Sequence, residues 1–354
     1  MTADPVGTAV TTAIETIDWH TGGEPFRIVP DAPSQLTAPG LTVAERRVVA
    51  MESSDVQWLR TLLCAEPRGH ADMYGGFLVP PDDEDADLGV LFWHKDGFST
   101  ACGHGTIALA AWAVASGRIP APADGVTEVV VDVPSGRVRA EVRTAHGLVE
   151  DVTFTNVASH VHARDVPVST PHGDLTVDIA FGGAMYAILP AAAVGLRVRP
   201  GDVTELIAAG RRIRDTLNAV NAAEHPTDPR LSGIYGTIFT EEISPPELRP
   251  DGTRRLRQRN ITVFADGEVD RSPCGSGTSA RVALLAATGE LRPGDDLRHE
   301  SVVGSEFRAW IDEVTEAHGH SAVVPAMTGT AYPVATCRFV VDPRDALLPG
   351  FLLR

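Results

Sequence analysis

Short apolar or β-branched runs, each bounded by polar turn residues, recur along most of the chain. Val90-Leu91-Phe92, 129–133, 136–142, 177–181 and Thr262-Val263-Phe264 read this way and predict strands. Two stretches break the pattern. Residues 103–116 and 275–288 are rich in Ala, Leu and Val without alternation, and each runs to a glycine, Gly117 or Gly289, suited to the residue after a helix end. They predict one long helix in each half of the chain. A further helix starts after Pro200-Gly201-Asp202 and sets Leu206, Gly210, Ile213, Leu217 and Val220 on one face. The acidic run 82–87 after Pro80-Pro81 predicts a solvated loop. Arg254, Arg255, Arg257 and Arg259 follow the turn signal Asp251-Gly252 and predict an exposed hairpin.

The two long helices belong to a repeat. CGHGTIALAAWAVASG from Cys102 and CGSGTSARVALLAATG from Cys274 align without a gap, 172 residues apart, with eight of sixteen positions identical. At the same offset Val90-Leu91-Phe92 faces Thr262-Val263-Phe264. Thr21-Gly22-Gly23 and Phe181-Gly182-Gly183 form a weaker pair at another offset. Each half therefore reads strand, loop, Cys-Gly-x-Gly, helix, in β-rich surroundings.

Length and composition narrow the setting. A chain of 354 residues with 43% hydrophobic and 22% charged residues reads as a globular protein of about two domains. It contains no run approaching the roughly 20 apolar residues of a membrane span, and 1–13 reads as a loose tail rather than a signal peptide. The net charge of −17 disfavours nucleic acid and anionic membrane as partners. Four cysteines, Cys64, Cys102, Cys274 and Cys337, are too few for a disulfide framework, so a reducing, cytoplasmic location is expected.

A cysteine at a glycine-rich helix start is suited to chemistry. Free N–H groups and the helix dipole there favour a thiolate and bind carboxylates. Glycines let a ligand approach the backbone. Two such starts facing each other across one ligand could remove a Cα proton on one face and return one on the other. That inverts a stereocentre without an organic cofactor, provided the developing charge is stabilised electrostatically. Other readings weigh against individual residues. Cys102 with His104 has metal-pair spacing but no evident third ligand. Asp270 could serve only as a charge favouring the following helix. Cys64 and Cys337 read as buried small residues. His20 and Glu24 shape the floor of a cleft or touch substrate, and His225 reads as a loop residue.

Several longer motifs carry a resemblance. Asp18-Trp19-His20-Thr21-Gly22-Gly23-Glu24-Pro25, Glu66-Pro67-Arg68-Gly69-His70-Ala71-Asp72-Met73-Tyr74-Gly75-Gly76, Ala101-Cys102-Gly103-His104-Gly105 and Asp270-Arg271-Ser272-Pro273-Cys274-Gly275-Ser276-Gly277-Thr278 resemble the proline racemase family. That family also holds hydroxyproline 2-epimerases and trans-3-hydroxy-L-proline dehydratases. The resemblance implies an α/β (α+β) fold of the diaminopimelate epimerase-like type. It has two pseudo-symmetric halves, each a β-structure wrapped around a central helix, with the site in the cleft. The first half takes 1–155 plus a C-terminal return at about 330–354, through a strand near 337–341. The second takes 156–329. The resemblance further implies Cys102 and Cys274 as catalytic residues. The backbones of Gly103, His104, Gly275 and Ser276 hold the substrate carboxylate, Asp270 meets the ring nitrogen, and no metal or cofactor takes part.

Much of the chain, including His70-Ala71-Asp72-Met73-Tyr74-Gly75-Gly76-Phe77-Leu78-Val79 and Gly350-Phe351-Leu352-Leu353, is most similar to the dehydratases. Those enzymes usually carry Thr where Cys274 stands. Cys274 supplies a second acid/base group and points to inversion. Ser276 stands where racemases and epimerases often carry Thr. The expected function is a cofactor-independent racemase or 2-epimerase of proline or a hydroxyproline. The alternative is a trans-3-hydroxy-L-proline dehydratase with Cys102 as base, and further away a thiol-redox switch or a proline-binding protein. The expected partner is a small molecule, not nucleic acid or membrane, with a homodimer left open.

Overall fold

The computed structural model describes residues 12–170 and 173–353. The expected tail lies outside these up to residue 11, and Thr12 and Ala13 already pair in the first strand, opposite Val341 and Val340. Among the described residues there are five α-helices: α1 (Val43–Glu52), α2 (Ser54–Cys64), α3 (Gly103–Ala115), α4 (Val203–Ala219) and α5 (Gly275–Ala287). No described helix is long and apolar enough to cross a membrane. The remaining structure is largely sheet.

The strands form two sets with the same pairing order. In the first, Thr12–Thr21 pairs antiparallel with Glu24–Val29, which runs parallel to Gly75–Val79. Leu88–His94 joins antiparallel, Gly125–Val133 parallel, and Gly136–Ala145 and Leu148–Thr155 antiparallel. The second set is Gly173–Phe181, Met185–Pro190, Ile234–Leu248, Arg254–Phe264, Asp296–Glu300, Glu306–Ala317 and His320–Gly329, with the same alternation of directions. The last strand, Ala331–Val341, returns to Thr12–Thr21, as Ser159–Thr170 pairs with Gly173–Phe181 in the other set. His320–Gly329 pairs with both Leu148–Thr155 and Ser159–Thr170, so the two sets are continuous.

Each parallel step needs a crossover, and helices supply it. α3 and α5 occupy equivalent crossovers and run through the middle of their strand sets. Residues 103–114 of α3 are buried all round, which explains why its sequence has no polar face. Ser116 caps its end and Gly117 follows at φ 73°, so the predicted glycine stop holds. Gly289 does the same after α5 at φ 74°. Fully buried rings such as Phe26, Phe92 and Phe307 fill the space against the helices, each worth roughly 2–3 kcal/mol of burial.

Two local expectations are corrected. Val220 is not on the buried face of α4. It lies past the helix end and is 71% exposed. Cys337 is only half-buried, because it lies on a strand with a single paired neighbour, and its thiol reaches Asp18 at 3.8 Å. The hairpin expected at Asp251-Gly252 forms between Ile234–Leu248 and Arg254–Phe264, and its arginines are paired. Arg254 pairs with Asp295, Arg255 with Asp296, and Arg257 and Arg259 with Glu300 across the parallel neighbour strand.

Candidate active site

α3 and α5 begin against each other. A Cβ built on Gly103 would lie 2.4 Å from the Cα of Gly275, and one on Gly275 would lie 2.3 Å from the Cα of Gly103. Backbone cannot yield to that contact, so the first glycine of each motif lets the helix starts meet. The second glycine makes room for sulfur. A Cβ on Gly105 would lie 2.7 Å from Cys102 Sγ, and one on Gly277 would lie 3.0 Å from Cys274 Sγ. The Cys-Gly-x-Gly spacing thus has one steric reason per glycine.

Cys102 and Cys274 line one small cavity of about 10 Å³, together with Gly103, His104, Asp270 and Ser276. Gly275 lies directly behind, against Gly103. All seven residues singled out from the sequence therefore come together. Tyr74, Tyr186, Tyr235 and Phe264 complete the lining. Sequence reasoning passed over these four, since aromatic residues on buried strands look like ordinary core. Tyr74 lay in a quoted motif and Phe264 in a predicted strand, but neither was assigned to the site.

Polar contacts connect the two helix starts. His104 holds its ring nitrogens 3.5 and 3.4 Å from Cys102 Sγ, and its Nδ1 lies 3.4 Å from Asp270 Oδ2. The other oxygen of Asp270 accepts from the backbone N–H and hydroxyl of Ser272, at 2.8 and 2.7 Å. Ser272 Oγ in turn accepts the Cys274 N–H at 3.1 Å. Ser276 is bonded to Tyr186 at 2.6 Å. Phe26 sets its ring edge-on to His104, 6.3 Å between centroids.

Burial reverses the expected charge state of the thiols. Cys102 is 5% and Cys274 6% exposed. Desolvation drives both thiols above the ordinary cysteine value, and the nearby Asp270 carboxylate pushes the same way. The N–H groups of Gly105 and Gly277 oppose the shift without overcoming it. The helix starts alone therefore do not hold thiolates, because a dry cavity penalises the ion more than one N–H contact favours it. Cys64 is pushed up to about 12, chiefly by burial, and lies away from the cavity as an inert thiol.

The remaining sequence candidates lie outside the cavity. His20 accepts the Gly23 N–H at 3.2 Å. Glu24 is fully buried and accepts the Arg271 N–H at 2.7 Å. Burial, then the charge of Asp270, raises its carboxyl well above the usual range. His225 is buried beside Phe181. A larger cavity of about 490 Å³ adjoins the small one through Tyr235. It contains Arg47, Arg214 and Arg230 but neither Cys102 nor Cys274.

Known proteins share the sequence and the fold. The proline racemase family model matches residues 16–352. A trans-3-hydroxy-L-proline dehydratase of Bacillus cereus is 42% identical over 338 residues, 96% of this chain and 97% of that one. A 3-hydroxyproline 2-epimerase of Burkholderia multivorans is also 42% identical, over 98% of this chain and 99% of its own. The crystal structure of a hydroxyproline epimerase from Agrobacterium vitis, with bound trans-4-hydroxy-L-proline, superposes with a TM-score of 0.84. It is 30% identical and covers 96% of both chains. From its paired cysteine helix starts to its nearly complete family match, this chain belongs to the proline racemase family.

Proposed function

We propose that the protein inverts Cα of proline or a hydroxyproline, with Cys102 and Cys274 as the acid/base pair and without a cofactor. The observation that carries this reading is the pair of thiols in one cavity, on helix starts that touch through Gly103 and Gly275. The first-turn N–H groups at Gly103-His104 and Gly275-Ser276 have no acceptor within their own helices. They receive the substrate carboxylate and hold the charge that builds on it as the Cα proton leaves. Asp270 receives the ring ammonium.

That ammonium also changes the thiols. Burial, then the charge of Asp270, raises both of them. A cation bound beside Asp270 offsets the second contribution, and one thiol releases its proton to solvent before the cavity closes. The resulting thiolate takes the Cα proton on its face while the opposite thiol delivers its own proton to the other. The proton count is conserved, and the two sulfurs exchange roles for the reverse direction.

A cavity of about 10 Å³ holds roughly one water. Substrate therefore enters when the two halves, 1–155 with the strand after 330, and 156–329, move apart. Closure then excludes water, which strengthens the electrostatic contacts.

The second reading is dehydration of trans-3-hydroxy-L-proline, with Cys102 as base and the C3 hydroxyl as leaving group. It is favoured by the dehydratase from Bacillus cereus, whose 42% identity equals that of the epimerase. Incubation with L-proline, trans-4-hydroxy-L-proline and trans-3-hydroxy-L-proline separates the readings. Inversion changes optical rotation at constant mass, whereas dehydration removes one water. Absence of any change across the three substrates sinks both.

A further inference from the structure

Five of the chain's twelve histidines gather away from the catalytic cavity. His160 and His162 are two apart on Ser159–Thr170, with a register irregularity between them. His320 opens the neighbouring strand, whose Ala322 pairs with His160. One ring nitrogen from each of the three lies within 4.8 Å of the others.

His160 is 1% exposed, and neither of its ring nitrogens has a hydrogen-bond partner. Buried polar atoms almost always have one. Nδ1 of half-buried His162 is also without a partner, while a hydrogen bond to the Ala222 backbone fixes its ring. That is how ligand histidines are oriented, one nitrogen held by a carbonyl and the other left for the ion. His160 stacks against Phe181 and His320, at 5.3 and 4.6 Å between centroids. Stacking explains the packing but leaves both nitrogens unsatisfied.

The other two histidines have different work. His225 Nδ1 accepts the Asp228 N–H at 3.1 Å, and His318 Nδ1 meets the Thr227 hydroxyl at 3.1 Å. They brace the loop that covers the cluster.

We propose that His160, His162 and His320 bind a divalent first-row transition ion of the zinc class, with solvent as fourth ligand. Three imidazoles and no carboxylate select zinc, copper, nickel or cobalt over magnesium and calcium. Tetrahedral zinc at 2.0–2.1 Å from each nitrogen needs them about 3.4 Å apart, so the His160 and His320 rings leave their parallel stack to converge on the ion. The half-exposed sides of His162 and His320 leave the fourth position open to solvent.

The ion braces the back of the catalytic half. Phe181 leads into Gly182, whose carbonyl accepts Asn156 Nδ2 at 2.8 Å. The same amide reaches Ser279 of α5 at 2.8 Å.

The test uses the full chain with Cys102→Ser and Cys274→Ser, so that the catalytic thiols cannot hold metal. After chelator treatment, zinc is titrated by calorimetry and thermal unfolding is followed with and without it. One zinc per chain and a raised Tm are expected. His162→Gln and His320→Gln lie at half-buried positions and should each weaken binding by about tenfold or more and abolish the Tm rise. His225→Gln should leave zinc affinity unchanged. Absence of stoichiometric zinc binding, or equal affinity in His320→Gln, overturns the proposal.

Discussion

The helix starts at Cys102 and Cys274 share sequence, burial and position, yet their surroundings differ. Cys102 has extended backbone, φ −157°, and its sulfur accepts the Gly105 N–H at 3.2 Å. Cys274 lies at φ 64°, outside the ordinary range for a residue with a side chain. Such a conformation costs about 1–3 kcal/mol. It is held by Ser272 on the Cys274 N–H and by Asn260 and Thr278 on the Pro273 carbonyl. The next residue differs as well: His104 contacts Asp270 and Cys102, whereas Ser276 is bonded to Tyr186. The repeat thus supplies two matching thiols, and the unlike residues around them give each a different environment. A duplicated motif fixes where the two thiols meet. The partners of each copy decide how far the two copies can substitute for one another.

The strongest way to break this comparison is to remove one thiol. Cys102→Ala should lower turnover of either stereoisomer by about 10⁴-fold, the upper range for a positioned acid or base. Near wild-type rates in either direction would show that the two sulfurs do not work as a pair. Removing acidity alone at the other site sharpens the picture. Cys274→Thr retains a hydroxyl far too weakly acidic to replace the thiol. Inversion should fall by about 10³-fold, while Cys102 still exchanges the Cα proton on its own face. With trans-3-hydroxy-L-proline, loss of water should persist or rise. A Cys274→Thr protein that inverts at an unreduced rate would remove Cys274 from the mechanism.

Much of this was legible in the sequence because the glycines and cysteines carry strict steric and chemical demands. The offset of 172 residues placed α3 and α5 correctly, and Ala331–Val341 pairs with Thr12–Thr21. The weaker Gly22-Gly23 and Gly182-Gly183 pair also proves equivalent, since both follow the first strand of their sets. What escaped the sequence depends on burial from distant segments. The thiol shifts come from a closed cavity whose tyrosines arrive from three separate strand regions, and no local pattern marks Tyr186 or Tyr235 as different from core. Val220 followed helical spacing but fell beyond the last turn, where spacing no longer sets burial.

Two smaller effects follow from the contact between the halves. Gly275→Ala puts a methyl onto the Gly103 backbone. It should separate the helix starts enough to lower turnover by about 100-fold and destabilise the fold by about 1–3 kcal/mol. Activity and Tm both unchanged would mean that the close approach is not needed. Asp270→Asn removes a negative charge that raises both thiols. The free-enzyme thiolate should then form at lower pH, moving the acid limb of kcat/KM downward, while KM rises about tenfold for want of the ammonium partner. An acid limb that stays in place would remove Asp270 from control of the thiols.

The central claim is that two sulfurs act on opposite faces of one Cα, and deuterium placement tests it most directly. The reaction is run in D₂O with the turned-over isomer of proline or hydroxyproline, and proton NMR follows both pools from the first few per cent of conversion. Two sulfurs on opposite faces predict that the inverted product carries deuterium at Cα from the start, while the remaining substrate keeps its proton. Product that retains the original Cα proton, or deuterium entering the substrate as fast as inversion proceeds, would contradict the account.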